Sequence, residues 1–511
     1  MIEAEVHLSL HNFLRSQAGF PSWPHHLTMA RLVARALRLG RSALIQVGAM
    51  SGYQGRYRTS FIASALMWYG PVIIVAKEAV QQRLLKVEIP RLQQWLSANK
   101  PIRTGDSWPS SEFQGLLLIS PSAWLKAQLE GNNQFPPGIP TIIDGVDDLE
   151  EWVRAQLTQT IQPHDWDQLM LACPQQAEVI REARVQLTHQ LFKHPANPYE
   201  CYLISQLEAE ILQKLFFSVD GFADLPDNWQ HFRQNLPNST HLLLWSTLAR
   251  RQGLFSLHYA PIELNPVLTP IWQRQPVVLI GSALEPETDA PLFHQRLGLK
   301  DLTCLKFSTD SQAEAIQLYV PYQLPLPNTP EFQAAFIHQV RTLVCLSATA
   351  PGMTVVMVGD VPLKARVGAI LAAEFGSRVQ VEKTCLDENG ILVSGWEFWR
   401  EHQAVLPAPQ LLIIATLPLP SLENPLVAGR VAYYKRSHQD WFRLYLLPTA
   451  LNELQRAIAP VRENQGIVAL LDSRVINRSY GAQVLSALSP SARLNYLDPS
   501  LFTSDNQENS A

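Results

Sequence analysis

Cysteine is scarce and scattered in this chain: Cys173, Cys201, Cys304, Cys345 and Cys385 are the five among 511 residues. No two stand at the short spacings of zinc or iron-sulfur ligation, and an odd, dispersed set predicts reduced thiols rather than a disulfide framework. Long apolar runs are missing too. Stretches such as Leu411 to Leu419 fall well short of the roughly 20 residues a membrane-crossing helix needs. A basic surplus is also absent: 41 Lys and Arg against 45 Asp and Glu leave a net charge of -4. Bulk charge therefore draws nothing to the chain, and nucleic-acid binding would need a local basic patch. The opening MIEAEVHLSLHNFLR lacks the basic, apolar and small-residue succession of a secretory signal. The expected location is the cytoplasm.

What is present is the composition of a globular protein, 47% hydrophobic and 17% charged, with disorder expected only at the polar end Thr503 to Ala511. Its length exceeds one hydrophobic core, so several domains are expected. His26 to Leu39 has the apolar recurrence of an amphipathic helix, and Arg31, Arg35 and Arg38 on its other face read as a solvated surface rather than a phosphate-tracking stripe. Short apolar runs at Ser42 to Val47, Val72 to Ala76, Leu116 to Ser120 and Thr141 to Asp144 alternate with helical segments, the pattern of buried parallel strands. Between Leu149 and Leu236 that signal gives way to helices, notably Gln175 to Phe192 and Glu200 to Phe217. Strands return at His241 to Trp245 and Pro276 to Ile280. A second series runs through Val355 to Val358, Val379 to Glu382, Ile391 to Ser394, Leu411 to Ala415 and Gly466 to Leu471. The fold class predicted is α/β: a first parallel-sheet domain over 1–150, a helical insertion over 151–238, the rest of the first domain over 239–302, a second parallel-sheet domain over 303–495 and a flexible tail over 496–511.

After the first strand come Gly48, Gly52 and Gly55, then Tyr57, Arg58 and Thr59 and a helical run from Phe61. Laid on the phosphate-cradling pattern G-x-x-x-x-G-K-[ST], Gly52 and Thr59 match, while Tyr57 takes the second glycine and Arg58 the lysine. Tyr57 puts a large ring where the backbone should approach phosphates, and Arg58 replaces a compact ammonium by a broad planar fork. From these letters alone an ordinary glycine-bearing strand-to-helix turn is the favoured reading.

The motifs that follow in order resemble those of the DinG- and XPD-like superfamily 2 DNA helicases, from Trp23 to Gly481. WPHHLTMARLVARAL resembles the adenine-sensing segment, with Trp23 and His26 replacing its arginine and glutamine. PTIIDGVDDLEEW resembles the strand ending in D-E-A-H, with Asp144 at the magnesium-associated aspartate, Gly145 at the glutamate that polarises water, and Asp147 at the histidine. VVLIGSALEPE carries Ile280 and Ala283 where two coupling threonines stand. In the last third, FW-E-G-x-D becomes Phe398 to Gln403, and Q-G-x-G-R-x-x-R reads Gln455 to Arg462, with Ala459 at the first arginine and Arg462 at the second.

The resemblance implies two RecA-like motor domains in tandem, ATP and magnesium as cofactors, with Gly52, Gly55, Arg58 and Thr59 toward the nucleotide, Asp144 toward magnesium, and Asp144, Gln455 and Arg462 as the remaining catalytic positions. Single-stranded or duplex DNA is the implied partner, with Arg430, Lys435, Arg436 and Trp441 as candidate contacts. No cysteine lies between Ser60 and Thr141, so the iron-sulfur cluster of many members is not expected. Losing an arginine finger costs about 10³ to 10⁵ in rate and each other preorganised electrostatic group about 10² to 10³, though such losses do not add. The expectation is a pseudo-helicase that hydrolyses little or no ATP, against the alternatives of an active helicase with atypical motifs and a protein-interaction scaffold.

Overall fold

A computed structural model describes residues 1–17, 23–96, 99–131, 134–219, 225–235, 241–307, 315–348 and 351–497. The expected disordered end, Thr503 to Ala511, lies outside them. Two seven-stranded, wholly parallel sheets form the body. In the first, the order is Thr303–Lys306, Ala43–Gln46, Val277–Gly281, Thr141–Asp144, Val72–Val75, Leu116–Ile119 and Ile102–Thr104. In the second it is Val379–Val381, Ile391–Ser394, Thr354–Met357, Leu411–Ile414, Ile467–Leu470, Ile316–Tyr319 and Ser491–Leu494. The inner strands of each sheet are buried at every position except Gln317 of Ile316–Tyr319, because helices cover both faces. That burial is why they read as unbroken Val, Ile and Leu runs rather than as alternating patterns.

Two boundaries differ from expectation. Thr303–Lys306 pairs in parallel with Ala43–Gln46, Thr303 opposite Ala43, so it closes the edge of the first sheet instead of opening the second domain. The strands Leu242–Ala249 and Leu254–Pro261 do not rejoin the first sheet either. They form an antiparallel hairpin flanked by Gln159–Ile161 and Cys201–Leu203, so the insertion is a four-stranded sheet with helices packed on it, running from about 158 to 261 rather than 151 to 238. Its core gathers Trp166, Trp229, Phe216, Phe232 and Phe255. The helix expected from Glu200 begins only at Gln206, where Ser205 and Glu208 form a capping box.

The insertion also touches the second lobe. Leu203, Leu243, Trp245 and Ile262 pack against Leu426 and Tyr433 of the helix Pro425–Arg436. Among the described residues no helix is long and apolar enough to cross a membrane.

Candidate functional site: the cleft between the two sheets

Gly48, with φ +86°, turns the chain out of the first strand, and Ala49–Gln54 then forms a short helix. Gly55 reverses it in the left-handed region at φ +67°, and the helix Arg58–Met67 follows. The N-H groups of this turn bond within the turn: Gly52 to the Gly48 carbonyl at 2.9 Å, Gly55 to that of Ser51 at 2.9 Å, Arg58 to that of Gly55 at 3.2 Å. Both Gly52 and Gly55 have a structural reason. A Cβ on Gly52 would lie 2.3 Å from the Ser282 Cβ, and one on Gly55 would lie 2.3 Å from the Arg58 guanidinium, which folds back over the loop. Lys100 anchors the far end of the helix by donating to the carbonyls of Ala65, Trp68 and Gly70.

Asp144 ends its strand at the centre of the sheet, 3% exposed. Arg58 Nε donates to its Oδ2 at 2.8 Å and the Tyr57 hydroxyl donates to its Oδ1. Burial, reinforced by the negative charge of Asp144, pushes the Tyr57 phenol well above its usual range, so it stays a neutral donor. Burial works against the charge on Arg58, yet Asp144 and Tyr57 hold its pKa above the ordinary arginine value. Both carboxylate oxygens are thus engaged by the two residues that depart from the phosphate-loop pattern. Thr59 does not join them: it faces a separate cavity with His26, Tyr53 and Gln54.

The neighbouring acids are also committed. Asp147 accepts from the Ser282 N-H at 2.8 Å, the Ser282 hydroxyl at 2.6 Å and the Ala283 N-H at 3.2 Å, tying the carboxylate turn to the end of the adjacent strand. Asp148 pairs with Lys77 at 2.6 Å and, across the cleft, with Arg456 at 2.7 Å. The first-lobe ring cluster is dense as well. Trp23 meets Phe307 edge-on at 4.9 Å, His25 stacks on Phe307 at 4.8 Å, and His26 Nδ1 lies 2.8 Å from the Ser60 hydroxyl. Burial, then the charge of His25, lowers the His26 pKa to about 4.

From the second lobe, the two expected catalytic positions turn away. Arg462, 4% exposed, donates to the carbonyls of Leu488, Ser489 and Pro490 at 2.7 to 3.2 Å, and Gln455 donates to that of Ala487 at 3.2 Å. Each braces its own lobe. Arg456 and Lys77 are the cleft residues that the sequence reading did not single out. Arg456 stands three residues before Ala459, one turn earlier on the same face of the helix Leu447–Glu463, and that spacing was the available signal. Arg400 adds ion pairs to Glu453 at 3.6 Å and to Glu151 of the first lobe at 3.9 Å.

Further direct bonds join the lobes. Tyr53 donates to the Gln403 carbonyl at 3.3 Å beside a cavity of about 240 Å³ that holds Arg58 and Asp144, and Asn452 donates to the Ala283 carbonyl at 3.1 Å. Among the described residues no three His, Cys, Asp or Glu side chains converge as a metal-binding set. Of the candidate nucleic-acid contacts, Arg430 is not on the outer surface: it lies half-buried where lobe and insertion meet, over the Tyr445 ring. Lys435 lies 5.2 Å over the Trp441 ring, and Arg436 is exposed.

Comparison with known proteins agrees with this architecture. Residues 407–491 match the helicase C-terminal domain family. The chain is 23% identical over 257 residues to the ATP-dependent DNA helicase YoaA of Haemophilus influenzae, a match covering 48% of this chain and 40% of that protein. The YoaA of Escherichia coli K12 gives 22% over 253 residues, 47% of this chain and again 40% of the relative. The match therefore spans less than half the length of these curated relatives. The fold superposes on Xpd4 of S. tokodaii with a TM-score of 0.59 at 13% identity, covering 92% of this chain and 100% of the other. Residues 407–491 thus match a helicase C-terminal domain, and the paired parallel sheets share the fold of the XPD structures.

Proposed function

We propose that this protein is a pseudo-helicase: a two-lobed body kept for binding single-stranded nucleic acid, with little or no ATP hydrolysis. The observation that carries the reading is the engagement of both Asp144 oxygens by Tyr57 and Arg58. A magnesium-bound triphosphate needs a free carboxylate, inward-facing N-H groups and a compact lysine. Here the residues do not fit that group: the acid is neutralised within the chain, the loop N-H groups bond to their own turn, and the arginine fork fills the space beside Gly55. The water-polarising glutamate and the first motif arginine are Gly145 and Ala459. Nucleic-acid binding is supported by the similarity to the DNA helicase YoaA over about half of this chain and by the arginines at the lobe junctions.

Fluorescence anisotropy of a labelled single-stranded oligonucleotide at two salt concentrations tests this. Salt-sensitive binding that ATP and magnesium leave unchanged is expected. Absence of binding at both concentrations would favour a scaffold that uses only protein surfaces, and binding that ATP shifts severalfold would contradict the reading.

A further inference from the structure

Where the first lobe, the insertion and the second lobe meet, a half-open chamber of about 440 Å³ is lined by five arginines and six acids, and three of those arginines, Arg154, Arg296 and Arg430, surround the Glu150 carboxylate. Arg154 donates to Glu150 Oε1 through Nε at 3.2 Å and a terminal nitrogen at 3.0 Å, and Arg296 reaches Oε2 at 3.4 Å. Arg430 comes from the second lobe. Its one described hydrogen bond is a 3.3 Å contact with the Tyr445 hydroxyl, and its buried Nε has no acceptor. Burial would raise the Glu150 pKa, but the charges of Arg296, Arg154 and Arg430 hold it down to about 2. Burial and the nearby charge of Arg430 lower the Arg154 pKa, as expected for cations crowded together.

The other acids of the chamber are occupied: Asp147 by the Ser282 turn, Asp148 by Lys77 and Arg456, Glu151 and Glu453 by Arg400, Glu285 by the N-H groups of Leu292 and Phe293. Arg154 also donates to the Pro261 and Ile262 carbonyls and Arg296 to that of Leu444, but Glu150 is the one charged partner these three guanidiniums share, and one carboxylate cannot neutralise three. A phosphodiester brings the same single negative charge with more acceptor oxygens, and arginine forks match phosphate as well as carboxylate. The walls also suit a strand: the Trp245 and Tyr445 rings line the chamber beside the cations.

We propose that this chamber binds one backbone phosphate of a single strand, and that Glu150 is a built-in competitor which the phosphate must displace from Arg154, Arg296 and Arg430. The proposal rests on the single-strand-binding reading above and adds its location and control.

The experiment is anisotropy of a labelled oligothymidylate with wild type, Glu150→Gln and Arg430→Gln over a salt series. Glu150→Gln should bind about tenfold more tightly or better. Arg430→Gln should bind more weakly, with a salt slope shallower by about 0.7, the value of one single-strand phosphate contact. Because Glu150→Gln leaves three arginines uncompensated and lowers stability, its melting temperature is measured with and without oligonucleotide, and the oligonucleotide should raise it more than that of wild type. Binding that neither substitution alters, or that Glu150→Gln weakens, overturns the competitor. No binding by any of the three proteins overturns the single-strand reading itself and the chamber with it.

Discussion

Arg58 combines two functions that a lysine would not: a directed hydrogen bond to Asp144 and a planar group that fills the space beside Gly55. The pair is almost dry, with side-chain exposures of 13% and 1%, so removing one partner leaves a buried charge uncompensated. Arg58→Ala is expected to cost about 3 to 5 kcal/mol in denaturant unfolding. Adding Asp144→Asn should return a large part of that loss, and a double variant no more stable than Arg58→Ala alone would refute the pairing. His26 gives a pH signature. Its folded pKa of about 4 lies below the ordinary 6.5, so the stability it contributes is complete above pH 6.5 and is lost as pH falls toward 4. His26→Gln should flatten the decline of melting temperature across that window, by up to roughly 3 kcal/mol.

At this scale the sequence was legible where a motif names a position. Asp144, Arg58 and Tyr57 could be picked out by their places in the pattern. It was silent on direction: nothing in the letters tells that Arg462 turns back to the 488–490 carbonyls, or that Arg456 takes the acid across the cleft.

Elements were legible in proportion to their burial and length. The inner parallel strands with every side chain buried stood out, because such burial forces an apolar run whatever the neighbours, while Ile316–Tyr319, with Gln317 half-buried, escaped notice. The three-residue strands Gln159–Ile161 and Cys201–Leu203 carry too few letters to show a period, and they exist because the long hairpin Leu242–Pro261 offers them an edge. Without them that hairpin looked like part of the first sheet. The same insertion meets the second lobe at Gly429, where a Cβ would lie 2.3 Å from Leu243 and 3.2 Å from Leu203. Gly429→Ala should therefore push this seam apart at a cost of about 1 to 3 kcal/mol, seen as a lower melting temperature and faster proteolysis between residues 158 and 261. A variant as stable and as resistant as wild type would mean that the insertion does not lean on the second lobe in solution.

Across the whole molecule, the lobes are held together by the chain's own side chains. Arg456 to Asp148, Arg400 to Glu151, Tyr53 to Gln403 and Asn452 to Ala283 bridge the cleft that nucleotide would bridge in a motor. Replacing Arg400 and Arg456 together by alanine should separate fluorophores placed one on each lobe, an opening that wild type does not share at moderate ionic strength. Unchanged transfer efficiency would show that packing alone keeps the lobes together. The two-sheet body was foreseeable because motif order is a property of the entire chain, whereas this latch was not, since its partners lie between 169 and 350 residues apart and no motif pairs them.

The account stands most directly on inorganic phosphate release from ATP and magnesium, measured with saturating single-stranded oligonucleotide for wild type beside Asp144→Asn. The prediction is that wild type releases no more phosphate than the variant, with or without the oligonucleotide. Turnover that the oligonucleotide stimulates and Asp144→Asn abolishes would contradict it.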